Sequence, residues 1–180
     1  MSDLAVRPLE ADDVAGLRDF FTRVPDGDRT FFREDVLAPG VIEGWIAHGP
    51  GQRMLATSAG RVVGYLALLP GVGWSRHVGE MRLVIDPDQR RRGIGRRLAR
   101  RAVADAKALG LTKLVVEVVA QQEPTVAMFT ALGFEAEGLL RDHVSSQRGE
   151  QHDLLILSHF VDELSTSMTS VGIDDAVAAD

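Results

Sequence analysis

Fifteen consecutive residues carry the clearest chemical signal in this sequence: Val84-Ile85-Asp86-Pro87-Asp88-Gln89-Arg90-Arg91-Arg92-Gly93-Ile94-Gly95-Arg96-Arg97-Leu98. An apolar run feeds a loop with two glycines, and the loop opens a helical pattern. Backbone N–H groups at a helix start have no partners inside the helix, and the helix dipole favours negative charge there. Gly93 and Gly95 allow a phosphate to approach the backbone closely. Arg90, Arg91, Arg92 and Arg96 add long-range attraction and charge-assisted contacts. For Arg96, contact with an anion and a place on a solvated helix face are both open. Arg97, Arg100 and Arg101 read more as solvated face.

Two nucleotide loops are excluded. No Gly-x-x-x-x-Gly-Lys-Ser/Thr string exists, and Gly95 is followed by Arg96, Arg97 and Leu98 rather than by the third glycine of a dinucleotide fingerprint. The loop therefore reads as a pyrophosphate site that needs neither Mg²⁺ nor a P-loop lysine. The charge balance agrees. Residues 89–101 hold seven arginines and no acid, so with a net charge of −6 the rest of the 180-residue chain carries −13. A basic patch on an acidic protein suits one anionic ligand and argues against general nucleic-acid binding.

The elements that position this segment can be read from periodicity. Residues 4–7 form a short strand closed by Pro8, and Asp12 is the expected N-cap of a helix carrying Val14, Leu17, Phe20 and Phe21. Residues 25–28 break that helix. Residues 29–49 hold one or two short helices, with Phe31, Phe32, Val36, Ile42, Trp45 and Ile46 as buried anchors. Residues 54–59 and 61–69 form a hairpin about Gly60-Arg61, and residues 77–86 form a strand stopped by Pro87. The helix over 95–109 has an apolar stripe of Leu98, Ala102, Val103, Ala106 and Leu109, and Gly110 ends it. The β-branched run 113–120 reads as a strand buried on both faces. A helix over 123–132 follows, with Pro124 in its first turn. Strands over 134–145 and 151–160 flank a turn at residues 147–150. The result is a mixed α/β sheet containing a parallel strand–helix–strand unit over 78–120. Residues 1–163 are expected to form one domain, with 164–180 a polar, mobile tail.

With loop and elements placed, the sequence resembles the GNAT acyltransferase family. The family's Gln/Arg-x-x-Gly-x-Gly/Ala pattern is matched by Arg90, Gly93 and Gly95, after an apolar strand ending in Asp86-Pro87 and before Leu98. Gln122, Phe129 and Gly133-Phe134 stand where the family often has Asn, Tyr and Gly-Phe. The resemblance covers about residues 50–160. It implies a mostly antiparallel sheet of six or seven strands flanked by about four helices, with a parallel pair, 78–86 and 113–120, splayed at the active site. It also implies acetyl-CoA or another short acyl-CoA as co-substrate and no metal. The Leu83, Val84 and Ile85 backbone would pair with the pantetheine arm. Backbone amides of residues 91–96, Ile94 among them, would hold the pyrophosphate, with Gln122 and Phe129 near the thioester. The acceptor would be a small-molecule amine, a protein lysine or an N-terminus, and a homodimer through the last two strands stays open.

The departures bear on catalysis. Many relatives use the tyrosine to protonate the leaving thiolate, but Phe129 has no proton to give, and Tyr65 is the chain's one tyrosine. Solvent, Ser145 or His143 are the alternative proton sources. Strand alternation puts Glu80, Arg82 and Val84 on one face and Met81, Leu83 and Ile85 on the other. By resemblance Glu80 is the candidate general base; an ion pair with Arg82 or Arg76 is the competing reading. Glu117, a charge inside an apolar strand, either lines the acceptor site or sits at an exposed strand end. No Gly-x-Ser-x-Gly string supports a serine nucleophile, and His48, His77, His152 and His159 lack metal-ligand spacing. A CoA-binding sensor that lost catalysis with its tyrosine is the alternative to a transferase.

Composition bounds the remainder. The chain has no cysteine, hence no disulfide or thiolate metal site. It lacks an apolar run long enough to span a bilayer and a signal-peptide pattern at residues 1–4, so a cytoplasmic protein is expected. Two lysines, Lys107 and Lys113, stand against eighteen arginines.

Overall fold

A computed structural model describes residues 4–29, 32, 34–146 and 148–161. Phe31, Gln147 and the proposed tail over 164–180 lie outside the described residues. Seven strands form one sheet: β1 (Leu4–Pro8), β2 (Gln52–Ser58), β3 (Arg61–Pro70), β4 (Val78–Ile85), β5 (Lys113–Val119), β6 (Glu135–Ser145) and β7 (Gln151–Phe160). Their order is β1-β2-β3-β4-β5-β7-β6. β4 and β5 run parallel, and the other pairs are antiparallel. The described helices are α1 (Val14–Arg23), the single turn α2 (Asp26–Arg29), α3 (Val41–His48), α4 (Ile94–Ala108) and α5 (Glu123–Thr130). None of the described helices is long and apolar enough to cross a membrane.

Strand alternation builds two cores. On one face Leu66, Leu68, Met81, Leu114 and Val116 meet Leu98, Ala102 and Ala106 of α4 and Phe129 of α5. On the other face Leu55, Tyr65, Ala67 and Val84 meet Leu17, Phe20 and Phe21 of α1, then Phe32, Ile42 and Trp45. Phe21 makes edge contacts with Phe32, Trp45 and Tyr65 at ring separations of 5.3, 6.0 and 5.3 Å. These packed rings fix the segment before β2 against the sheet.

Four local expectations change. Asp12 does not cap α1; it lies in a 3₁₀ turn (Ala11–Asp13) ahead of it. Asp13 does the joining instead, accepting the Glu10 N–H at 2.9 Å and pairing with Arg7 at 2.6 Å. That hydrogen bond from Arg7 holds the Asp13 carboxyl below the usual carboxylate range. The hairpin loop is Ala59-Gly60, with φ of 50° and 72°, and Arg61 already pairs with Ser58. Two consecutive left-handed residues give the strands the twist they need. Leu109 falls past the end of α4 and is 41% exposed, off the buried stripe. β5 is buried through Leu114, Val116 and Val118, but Glu117 is exposed, because alternation puts it on the opposite face of the strand.

The junction of β4 with the following loop is anchored at Asp86, which is 3% exposed. Its Oδ2 accepts from Arg23 Nε at 3.0 Å and its Oδ1 from the Asp88 N–H at 3.1 Å. Its own N–H donates to Val63 O at 3.0 Å, and Arg23 Nη2 donates to Val62 O at 2.9 Å. One carboxylate thus ties α1, β3 and the loop. Asp86→Ala leaves a mostly buried guanidinium with only the exposed Asp19 as its counter-ion and frees the turn. The expected loss is about 2–3 kcal/mol of unfolding free energy, read from urea denaturation.

Candidate active site

The site begins with an interrupted ladder. β4 pairs with β3 along its whole length, from Pro70↔Gly79 to Gly64↔Ile85. With β5 it pairs over Val78↔Lys113 to Met81↔Val116 and no further, although both strands continue. The Asp86 N–H bonds Val63 O and the Gly71 N–H bonds Val78 O, so the even-numbered residues of β4 direct their backbone groups toward β3. Leu83 and Ile85 therefore direct theirs into the gap, while their side chains pack against the larger core.

The loop follows directly. Arg91 and Gly93 adopt left-handed φ of 60° and 78°. Gly93 is the N-cap of α4 and offers no side chain, and the helix's first turn has no acidic residue. The first helical bond is donated by the Arg97 N–H to Gly93 O, at 3.0 Å. The N–H groups of Ile94, Gly95 and Arg96 precede it and have no acceptor within the helix. The two glycines serve different ends. A Cβ at Gly93 would meet nothing within 4 Å, so the left-handed backbone is what demands glycine. A Cβ at Gly95 would stand 3.2 Å from Met128 Sδ and 3.6 Å from both Ile85 Cγ1 and Leu83 Cδ2. Gly95 thus lets α4 approach β4 and α5.

Gap, loop and α5 enclose a cleft of about 670 Å³. It brings together Glu80, Leu83, Val84, Ile85, Arg90, Arg91, Gly93, Ile94, Gly95, Arg96, Gln122 and Phe129. Arg92 is the one residue of the expected set outside the lining; its Nη1 donates to Gln89 Oε1 at 2.6 Å. Glu80 forms the ion pair that alternation allows, Oε1 accepting from Arg82 Nε at 2.7 Å. Arg82 and Glu117 also line the cleft. Phe129 is 1% exposed and meets Phe134 edge-on at 5.1 Å. The backbone of Gln122 starts α5, its N–H donating to Val119 O at 2.8 Å.

Other candidates lie elsewhere. Tyr65 is buried in the aromatic cluster and outside the lining, and burial pushes its phenol well above the ordinary range. His143 and Ser145 are exposed on β6, away from the lining. His159 is buried, with Nδ1 2.8 Å from Gly133 O and Nε2 without a partner. Among the described residues no group of three or more His, Cys, Asp or Glu is placed to hold a metal ion. Sequence reasoning missed Asp28 and Phe32, which line the cleft from the first third of the chain, and Met128. The i,i+3 spacing of Met128 from Thr125 was a usable signal; Asp28 had none.

Known proteins resemble this arrangement. The sequence profile of the acetyltransferase (GNAT) family matches residues 16–134. The [ribosomal protein bS18]-alanine N-acetyltransferase of Salmonella typhimurium is 27% identical over 74 residues, 41% of this chain and 50% of that protein. The mycothiol acetyltransferase of a Parafrankia species is 29% identical over 157 residues, 83% of this chain and 45% of that one. The chain thus spans about half the length of these relatives. A GNAT-family acetyltransferase from Streptococcus pneumoniae superposes with a TM-score of 0.74 at 20% identity, over 88% of this chain and 99% of that chain. So does yncA from Salmonella typhimurium, solved with its cofactor acetyl-CoA, with a TM-score of 0.74 at 17% identity over 89% and 95%.

The glycines separate by stability. Gly93→Ala strains a left-handed position and is expected to cost about 1–2 kcal/mol. Gly95→Ala gains helix propensity, up to about 1 kcal/mol, against a small shift of the flexible Met128 end. It should therefore melt close to the parent, in thermal denaturation followed by circular dichroism.

Proposed function

The chain belongs to the acetyltransferase (GNAT) family, and on that premise we propose that it transfers an acetyl or other short acyl group from acyl-CoA to a primary amine. The observation that carries this reading is the start of α4: an uncapped, acid-free helix terminus beside Arg90, Arg91 and Arg96, opening on the cleft. Such a terminus is complementary to a pyrophosphate. The Leu83 and Ile85 backbone groups supply donors and acceptors for an extended amide chain lying along β4, as an added strand would. The bound donor supplies a thioester, an electrophile for an amine.

The chain's residues then account for the transfer. Glu80, oriented by Arg82, accepts a proton from the incoming amine, directly or through water. The amine nitrogen bonds the acyl carbon as the carbon–sulfur bond breaks, and the electron pair leaves on sulfur. A thiol pKa of about 8.5 lets solvent protonate that thiolate near neutral pH, so Phe129 need not act as an acid. Direct attack fits a cleft whose lining holds no serine or cysteine. The acceptor is a small-molecule amine or a protein lysine or N-terminus; the relatives' names include a ribosomal-protein alanine and mycothiol. Release of CoA from acetyl-CoA over a panel of such amines tests the activity.

Glu80→Gln keeps size and removes basicity. Turnover is expected to fall roughly 10²-fold, with the acetyl-CoA dissociation constant little changed; wild-type turnover across pH 6 to 9 would remove Glu80 from the mechanism. The second reading, a sensor without catalysis, is favoured by Phe129 standing buried where relatives often have tyrosine. Phe129→Tyr distinguishes the two. A working transferase keeps its turnover or gains modestly, whereas an inactive wild type revived by the hydroxyl would establish the sensor.

A further inference from the structure

One cleft residue is not explained by acyl-CoA binding. Asp28, in the single turn α2, lines the cleft and pairs with Arg90 of the glycine loop, 62 residues away in sequence. The carboxylate is held from behind. The Asp28 N–H donates to Pro25 O at 2.9 Å and the Arg29 N–H to the same oxygen at 3.2 Å. Arg29 Nη1 donates to Phe21 O at 3.0 Å, and Phe21 is fully buried. Arg90 is the adjustable partner: its side chain is 45% exposed, and its Nε reaches Ile85 O at 3.5 Å across the cleft edge. An ion pair therefore links the wall built by the first helices to the loop proposed to hold the pyrophosphate.

Arg90 cannot give its full charge to both Asp28 and a diphosphate. A diphosphate, with two negative charges shared over adjacent groups in bidentate reach, is the stronger partner for a guanidinium. We propose that Asp28 is a specificity-determining residue for the acceptor, held on Arg90 until the acyl donor binds. Donor phosphate draws Arg90 away, and the anchored Asp28 carboxylate is left facing the cleft, where the cation that fits it is the ammonium of an acceptor. Donor and acceptor binding are then positively coupled, each favouring the other. An acceptor bearing an ammonium near its reacting amine gains most, since Asp28, Glu80 and Glu117 all line the same cleft. The inference rests on the acyl-CoA reading of the loop.

The test is calorimetric titration of acetyl-CoA into wild type, Asp28→Asn, Arg90→Met and the double variant, each checked for an unchanged melting temperature. Asp28→Asn removes the competitor and is expected to tighten acetyl-CoA by roughly two- to fivefold, the range for a partly exposed ion pair. Arg90→Met is expected to weaken it, and the double variant to match Arg90→Met, since Asp28 acts through Arg90. Steady-state kinetics at saturating acetyl-CoA, with a diamine and a monoamine, supply the second readout. KM for the diamine should rise in Asp28→Asn more than KM for the monoamine. Should Asp28→Asn melt early, Asp28→Ser in the same titration takes its place. Unchanged or weaker acetyl-CoA binding in the Asp28 variant, or equal effects on the two amines, overturns the proposal while leaving the site assignment intact. A wild type that does not bind acetyl-CoA overturns both.

Discussion

The structure depends on a ladder that stops early. β4 and β5 share four residue pairs and then separate, and neither strand can swing back to close the gap. β4 is fixed on its far edge by β3 as far as Ile85, and beyond that by Asp86 on Val63 and Arg23. β5 is fixed on its far edge by β7 as far as Val119↔Leu154. Buried backbone polar groups require partners, so an opening maintained by the neighbouring strands has groups along its edge suited to an extended ligand. Gly95 lets α4 close over the same edge, with Met128 Sδ only 3.2 Å from where a Cβ would stand.

Electrostatics reinforce that geometry at a local cost. Arg96 and Arg97 stand in the first turn of α4, where the helix dipole disfavours cations, and Arg91 holds a left-handed backbone without being glycine. These features work against the stability of the empty loop and in favour of an anion on it. The remaining chain is acidic, so the field converges on one place.

Much of this was legible in residue order. The loop's two glycines, the apolar strand before it and the helical stripe after it are local patterns, and each appears where its periodicity puts it, Leu109 at the end of the stripe excepted. The parallel unit followed from strand, helix and strand in sequence. Illegible were the contacts whose two halves are far apart. Nothing near Asp28 signals Arg90, and nothing near Asp86 signals Arg23. Arg92 looked equivalent to Arg90 and Arg91, but the turn of the loop directs it to Gln89. Glu117 read as a costly charge in a buried strand; it is tolerated because it lies on the exposed face of that strand. The choice of Asp12 as a cap failed on a one-residue offset that only the 3₁₀ turn reveals.

The scarcity of lysine gains a meaning from where the cations stand. Arg82, Arg90, Arg91 and Arg96 line the cleft, and no lysine does. Lys107 is in the last turn of α4, about 20 Å along the helix from Gly93, and Lys113 is engaged by Glu137 and lies over the Phe160 ring at 5.4 Å. A guanidinium keeps its proton at neutral pH and has no free electron pair to offer a carbonyl carbon, whereas a lysine amine deprotonates and attacks. The lining therefore surrounds the proposed thioester with positive charge while presenting it no lysine amine. A catalyst built this way has no lysine in its pocket to acylate, and the pocket's positive charge cannot be erased by the modification it is proposed to carry out.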